Sequence, residues 1–253
     1  MNNLNHIAII MDGNNRWAKN QNSKSSITGH KEGLKQAKTI IEYCAKIQLK
    51  YLSLFVFSTE NWNRPKSEIN LLMKLLDNSV QKELPLLLKN NIQLHLIGDL
   101  NPLPQKTKST LQAIVQKSKA CTGLHLVLAI NYGGRLDITQ ACKAYIKEQI
   151  SELIESENPI SPEKLKTVAD HLDEEKLNHF MYSSVAPDPD LIIRTSGETR
   201  LSNFYLWSSA YSEIMWTNKL WPDFQPEDLQ NCINDFQNKK RRFGSRTLTS
   251  NKE

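Results

Sequence analysis

No stretch of this sequence is apolar for long enough to cross a bilayer. The first apolar run, Ile7 to Met11, is also too short for the core of an export signal, and no basic region precedes it. Neither export nor integral insertion is expected. Glycine and proline are sparse, nine and ten in 253 residues, and there is no internal repeat or low-complexity tract, which excludes fibrous and disordered classes. Cysteine is scarce too: Cys44, Cys121, Cys142 and Cys232 are widely spaced, form no C-x-x-C pair and read as reduced core thiols of a cytosolic protein. Neither charge dominates. With 32 Lys and Arg against 27 Asp and Glu, the net +5 is too small to make nucleic acid the default partner, whereas an anionic small substrate stays open. A Walker A loop, a G-x-G-x-x-G fingerprint, a G-x-S-x-G elbow and a His-x-x-x-His pair are all missing, so those nucleotide, hydrolase and metal chemistries have no direct support.

What is present is a core-forming composition, 39% hydrophobic and 23% charged. A chain of this size buries roughly 70–75% of its unfolded surface, and a single domain over residues 1–253 is expected. Short apolar, β-branched runs alternate with longer segments of helical period, the pattern of an α/β fold with a central, mostly parallel six-stranded sheet flanked by helices. The expected strands are 7–11, 51–57, 92–97, 124–130, 191–194 and 213–217. Helical stripes fall on Leu34, Ala37, Ile41 and Cys44, on Leu111, Ile114, Val115 and Ser118, and on Leu229, Ile233 and Phe236. Residues 67–89 carry one stripe through Ile69, Leu72, Leu76, Val80, Leu84 and Leu87, with Leu71, Leu75, Leu86 and Leu88 beyond it. That exceeds one core face. Either the helix is buried on several sides or its second face lines an apolar channel; Pro85 is expected to kink or interrupt it.

Polar clusters follow four of the strands: residues 12–17, 58–65, 131–135 and 194–203. In an open parallel sheet the carboxyl ends share one edge, where ligands bind. Arg16, Arg64, Arg135, Arg194 and Arg200 would converge there, and their planar forks suit phosphate. Ser58, Asn61 and Ser202 add neutral hydrogen bonds, and Gly13, Gly133 and Gly134 let backbone N–H groups approach an anion. Asp12 stands nearly alone among these donors. It would either pair with an arginine or share a magnesium ion with a bound diphosphate. Taken singly, the pieces are ordinary: Asp-Gly-Asn makes turns, a serine there caps a helix, an arginine after a strand makes a surface ion pair.

Together, the stretches 6–17, 29–31, 57–65, 131–135, 190–198, 200–204, 221–224 and 241–244 resemble the cis-prenyltransferases, and among them the bacterial undecaprenyl diphosphate synthases. The resemblance implies a magnesium-dependent homodimer that condenses isopentenyl diphosphate with Z geometry onto an allylic diphosphate, usually farnesyl diphosphate. The expected product is undecaprenyl diphosphate for the cell-wall lipid carrier, made in the cytoplasm or at the inner membrane face and delivered to the membrane. By motif position it implies catalytic roles for Asp12 and Asn61, with Asp12 and Glu213 at the metal. Gly13, Asn14 and Arg16 would hold the allylic diphosphate with His30 nearby, and Asn15 and Trp17 would also bind substrate. Ser58, Thr59, Glu60, Trp62 and Arg64 would complete the pocket, and Arg194, Arg200 and Ser202 would hold isopentenyl diphosphate. Arg242 would reach the partner subunit's site, and residues 245–253 would form a disordered tail.

The sequence departs from the family pattern at Asn15, where glycine is usual; at Ser26, where an arginine is common and Lys24 would compensate; and at Thr199, where a histidine is common. The rival readings are a non-catalytic family member, which should lack Asp12 and Arg16, and a phosphate-ester hydrolase, for which no nucleophile or base is evident.

Overall fold

A computed structural model of the chain describes residues 4–23, 26–155 and 161–239. Its strands are β1 (His6–Ile10), β2 (Tyr51–Ser58), β3 (Gln93–Ile97), β4 (His125–Tyr132), β5 (Leu191–Arg194) and β6 (Glu213–Trp216). They form one sheet in the order β3-β4-β2-β1-β5-β6, and every neighbouring pair is parallel. All six expected strands are present, and the sheet is wholly rather than mostly parallel. The helices are α1 (Asn14–Asn20), α2 (Ser26–Lys46), α3 (Lys66–Lys89), α4 (Gln105–Ser118), α5 (Gly134–Glu155), α6 (Pro162–Asp170), α7 (Glu174–Phe180) and α8 (Pro226–Asn238).

Both faces of the sheet are covered, so the central strands are continuous apolar runs; β1 is buried at each of its five positions. Period-two alternation sorts the side chains. Ile7, Ile9, Leu52, Leu54, Leu126 and Leu128 enter a core shared with α2, α3, α4 and α8. Ala8, Val127 and Ala129 face the other way, against Phe204 and Tyr205. The register between β2 and β4 slips between Phe55 and Phe57, and this reverses the parity. Phe57 therefore joins Leu52 and Leu54 on the first face, and the chain is re-aimed just where the site begins.

Two features of α3 follow from local chemistry. It runs unbroken through Pro85 to Lys89, contrary to the expected interruption. Pro85 is exposed near the end of the helix and removes one backbone hydrogen bond, whose carbonyl partner is on exposed Gln81. Its buried side, Ile69, Met73, Leu76 and Leu87, is only part of its apolar surface.

The amino ends of the strands are tied by a buried polar chain. The His6 ring lies 2.6 Å through Nδ1 from the Pro187 carbonyl and 2.7 Å through Nε2 from Ser53 Oγ, which is 2.8 Å from the Tyr205 hydroxyl. A carbonyl only accepts, so the neutral ring carries its proton on Nδ1. Asp190 accepts from the backbone N–H groups of Asn5 and His6 at 2.8 and 3.0 Å. Burial pushes the His6 pKa from 6.5 down to about 4, against the Pro187 carbonyl and the Asp190 charge, which raise it. The unfolded chain therefore takes up a proton that the folded chain refuses. This contribution to stability is complete above pH 6.5 and is lost as pH falls from 6.5 toward 4. Urea midpoints measured between pH 7.5 and 4.5 should fall with acid in the wild type, and His6→Gln, although less stable at neutral pH, should show a flatter profile.

Candidate active site

Chain order places β1 between β2, its successor, and β5, which arrives from the far side. That reversal opens a crevice at the strand carboxyl ends. Asp12 leaves β1 there and Arg194 ends β5. The Asp12 N–H donates to Thr195 Oγ1 at 2.9 Å, and the Thr195 hydroxyl donates back to the Asp12 carbonyl at 2.7 Å. This brace fixes the Asp12 backbone. Arg194 is only 4% exposed; its Nη2 donates to Asp12 Oδ2 at 2.7 Å, and its Nη1 donates to the Arg200 carbonyl at 2.6 Å and to Ser202 Oγ at 2.7 Å. Burial alone would push the Asp12 carboxyl up, but the Arg194 hydrogen bond and charge overcome it and hold the group ionised below its ordinary range.

Gly13 opens α1 with φ +108°, a left-handed conformation that suits glycine, and a Cβ there would come within 2.9 Å of Leu220. Close approach also explains Gly29, where a Cβ would fall 1.9 Å from the Asn14 carbonyl oxygen. α2 therefore packs directly on the first turn of α1. The result is a set of buried polar atoms without partners: Asn14 Oδ1, Asn15 Oδ1 and His30 Nε2. Burial, then the Arg64 charge, lowers the His30 pKa while Glu68 opposes; the ring is neutral at pH 7. Unpartnered polar groups in a cleft are what a polar ligand satisfies.

These residues form one end of a cavity of about 1340 Å³. Asp12, Arg16, Ser58, Asn61, Arg64, Arg135, Arg194 and Ser202 lie in its wall, so all four polar clusters meet as the sequence implied. From there the wall becomes aliphatic. Leu72, Leu75, Leu76 and Val80 of α3 face Leu34 and Ile41 of α2, over a floor that includes Leu54, Leu126 and Leu128 of the sheet. The first stripe of α3 thus lines a channel together with Leu75 and Leu86 from beyond it, whereas Leu71 and Leu88 stay out of the wall. The α2 stripe does two jobs: Leu34, Ala37 and Ile41 line the cavity, and Ala37 and Cys44 are buried in the core.

Gly13, Asn14, Asn15, His30 and Glu60 also line the cavity. Among the expected pocket residues, Trp17, Thr59, Trp62 and Arg200 are not in its wall. Trp17 Nε1 donates outward to Asp223 Oδ1 at 2.7 Å. Trp62 Nε1 donates to Asn131 Oδ1 at 2.7 Å and its ring meets Phe57 edge-on, so it steadies the turn after β2. Arg200 is mostly exposed and pairs with Glu198, and its carbonyl is what Arg194 grips. Lys24, Arg242 and the 245–253 tail lie outside the described residues.

Glu213 requires a correction. It begins β6, in register with Leu191 of β5, which pairs with Ile7 of β1. Asp12 therefore lies about five residues farther along, roughly 16 Å at the strand rise, and two strands across. The two carboxylates do not meet within one chain, and Glu213 Oε2 instead accepts from Lys239 at 2.7 Å. Motif position conveys which residue is acidic but not which end of a strand it occupies.

Sequence reading missed Thr195 as the brace of Asp12, and Asn203, which donates to Glu60 at 2.8 Å and accepts from the Arg135 N–H at 3.0 Å. Both lie within the strand-end clusters, but composition does not separate braces from wall residues.

Among the described residues no three His, Cys, Asp or Glu groups gather to hold a metal. Magnesium needs no such cage, because it takes one or two carboxylates and fills its octahedron with phosphate oxygens and water. Asp12, ionised, a third exposed and in the cavity wall among anion donors, fits that requirement.

Comparison with known proteins agrees with this geometry. The family described as "Putative undecaprenyl diphosphate synthase" matches residues 10–244. The chain is 46% identical over 239 residues to an isoprenyl transferase of Clostridium tetani, covering 94% of this chain and 88% of that one. It is 44% identical, over 94% of this chain and 90% of the other, to a farnesyl-diphosphate-specific ditrans,polycis-undecaprenyl-diphosphate synthase of Micrococcus luteus. A solved lavandulyl diphosphate synthase of Lavandula x intermedia, in complex with dimethylallyl diphosphate, superposes with a TM-score of 0.85 at 33% identity, covering 95% of this chain and 98% of that one. A "probable undecaprenyl diphosphate synthase" from Campylobacter jejuni superposes with a TM-score of 0.76 at 33% identity, covering 97% and 100%. An anion-binding pole joined to an aliphatic channel, on a sheet shared with these proteins, places the chain in the undecaprenyl diphosphate synthase family of cis-prenyltransferases.

Proposed function

We propose that this protein is a magnesium-dependent homodimer that adds isopentenyl diphosphate repeatedly, with Z geometry, to farnesyl diphosphate and makes undecaprenyl diphosphate for the cell-wall lipid carrier. The observation that carries the reading is the two-ended cavity, cationic at the strand ends and aliphatic between α2 and α3. A diphosphate with a prenyl tail has the same division.

The reaction breaks an allylic C–O bond, leaving negative charge on the departing diphosphate and positive charge on the allyl group. The isopentenyl double bond then attacks the allylic carbon, and loss of one proton restores an allylic diphosphate. In this reading Arg16 and Arg64 would face the departing diphosphate and Arg194 the isopentenyl diphosphate, all three being in the cavity wall, and donors that bind the growing charge more tightly in the transition state lower the barrier. Neutral His30 can donate a hydrogen bond to the same anion. Magnesium, held by Asp12, would supply Lewis-acid stabilisation of the leaving diphosphate. The aliphatic walls draw the tail inward by about 0.8 kcal/mol for each buried CH₂. A product so apolar would leave for a membrane rather than for water, and no helix among the described residues is long and apolar enough to cross one. A peripheral cytoplasmic location fits the four free cysteines. The non-catalytic alternative calls for loss of Asp12 and Arg16, and both stand in the wall.

Exposed Ile146, Ile150 and Ile154 recur every four residues on α5 and support a self-association face. Lys24 and Arg242 are assigned to substrate by resemblance alone, Arg242 acting across the dimer.

Purified protein given farnesyl diphosphate, labelled isopentenyl diphosphate and magnesium should yield long-chain products by chromatography, and chelation with EDTA should stop elongation. Failure to elongate with magnesium present would refute the reading. Asp12→Ala should lower elongation by about 10²-fold or more, with an unchanged circular dichroism spectrum. Ile150→Glu should shift the protein toward monomer in size-exclusion chromatography. Arg242→Ala should remain dimeric while its kcat/KM for isopentenyl diphosphate falls.

A further inference from the structure

The aliphatic part of the cavity is bounded on one side by α2 and α3, which both leave the diphosphate pole near His30 and Arg64. Farther along, that wall stops being apolar. Lys38 Nζ of α2 lies 3.0 Å from Glu83 Oε2 of α3, and both residues line the cavity, with Glu42 and Lys82 beside them. Lys38 is eight residues past His30, about 12 Å along the helix. It is therefore remote from the reacting carbons. Pro85 lies two residues beyond Glu83 and withholds the N–H that would bond the Gln81 carbonyl, so α3 lacks one backbone hydrogen bond next to the ion pair.

We propose that the Lys38–Glu83 ion pair is a cross-brace that shuts the side of the tail channel between α2 and α3 and thereby limits the length of the chain produced. The inference rests on the prenyl-elongation reading. While the brace is closed, the advancing tail meets two charged side chains and would have to strip water from them to pass. With it open, α3 swings away at Pro85 and the tail end threads out between the helices. Product length is then set by competition between release and another round of addition, with more rounds possible once the tail has room.

Because the pair is partly exposed, its loss should change the closed-to-open ratio by up to about five-fold. Lys38→Ala and Glu83→Ala should shift the product distribution to longer chains, with species above the wild-type maximum rising by up to about five-fold. The single-turnover rate of the first condensation should stay within two-fold of wild type. The reversed pair, K38E with E83K, should restore the wild-type distribution. Hydrogen exchange of the 76–89 amides, read by mass spectrometry without substrate, should quicken in each single variant and recover in the reversed pair. Unchanged or shorter products from both single variants would overturn the brace, as would a reversed pair that behaves like the single variants or exchange that does not respond. If exchange responds as expected but the wild type elongates nothing, it is the elongation reading that fails.

Discussion

The site depends on one buried guanidinium. Arg194 is nearly inaccessible, and its three hydrogen bonds reach the Asp12 carboxylate, the Arg200 carbonyl and the Ser202 hydroxyl. A buried cation of this kind persists only when paired and hydrogen-bonded. Asp12 supplies the charge, and the Arg200 carbonyl and Ser202 hydroxyl take up Nη1, while the buried Nε has no hydrogen-bond partner. One side chain thereby ties the end of β1 to the loop after β5, the two segments that flank the reversal of strand order. Asp12 stays ionised and fixed, which it must be if it is to share a hard cation with a phosphate.

The remainder of the cavity divides two tasks that interfere when mixed. Charge stabilisation needs arginine, amide and carboxylate groups, each costly to bury without a partner. Tail binding needs aliphatic walls without such groups. The fold separates them along one axis, with strand-end loops at one pole and the facing stripes of α2 and α3 at the other. The slip in β2 at Phe55–Phe57 lies at the junction. At the polar pole the buried polar atoms of Asn14, Asn15 and His30 lack protein partners, which suits them to bind a polar ligand.

Much of this was legible beforehand. The apolar runs identified every strand, most plainly the central ones, because a strand buried on both faces must be apolar throughout. The four polar clusters located the site, because parallel strands bring all their carboxyl ends to one edge. Of the surplus leucines of α3, Leu75 and Leu86 reach the cavity, while Leu88 is exposed. Other features were not legible. Trp62, which looked like a pocket residue, braces Asn131. Glu213 lies at the wrong end of its strand for Asp12, because the motif marks acidity without register. Pro85 left α3 unbroken, since a proline in an exposed final turn removes little.

The order of apolar and polar residues along the chain determined by itself the fold class, the strands, the edge that binds ligand and the presence of more apolar helix surface than a core requires. These are properties of local sequence, set by periodicity and by the chemistry of neighbouring residues. Only tertiary structure decided that Arg194 grips Asp12 across 182 positions, that Thr195 locks the Asp12 backbone, and that Lys38 meets Glu83 across the channel. Each such pairing joins segments far apart in the chain, and its distance is set by strand order and helix packing, which no local pattern encodes.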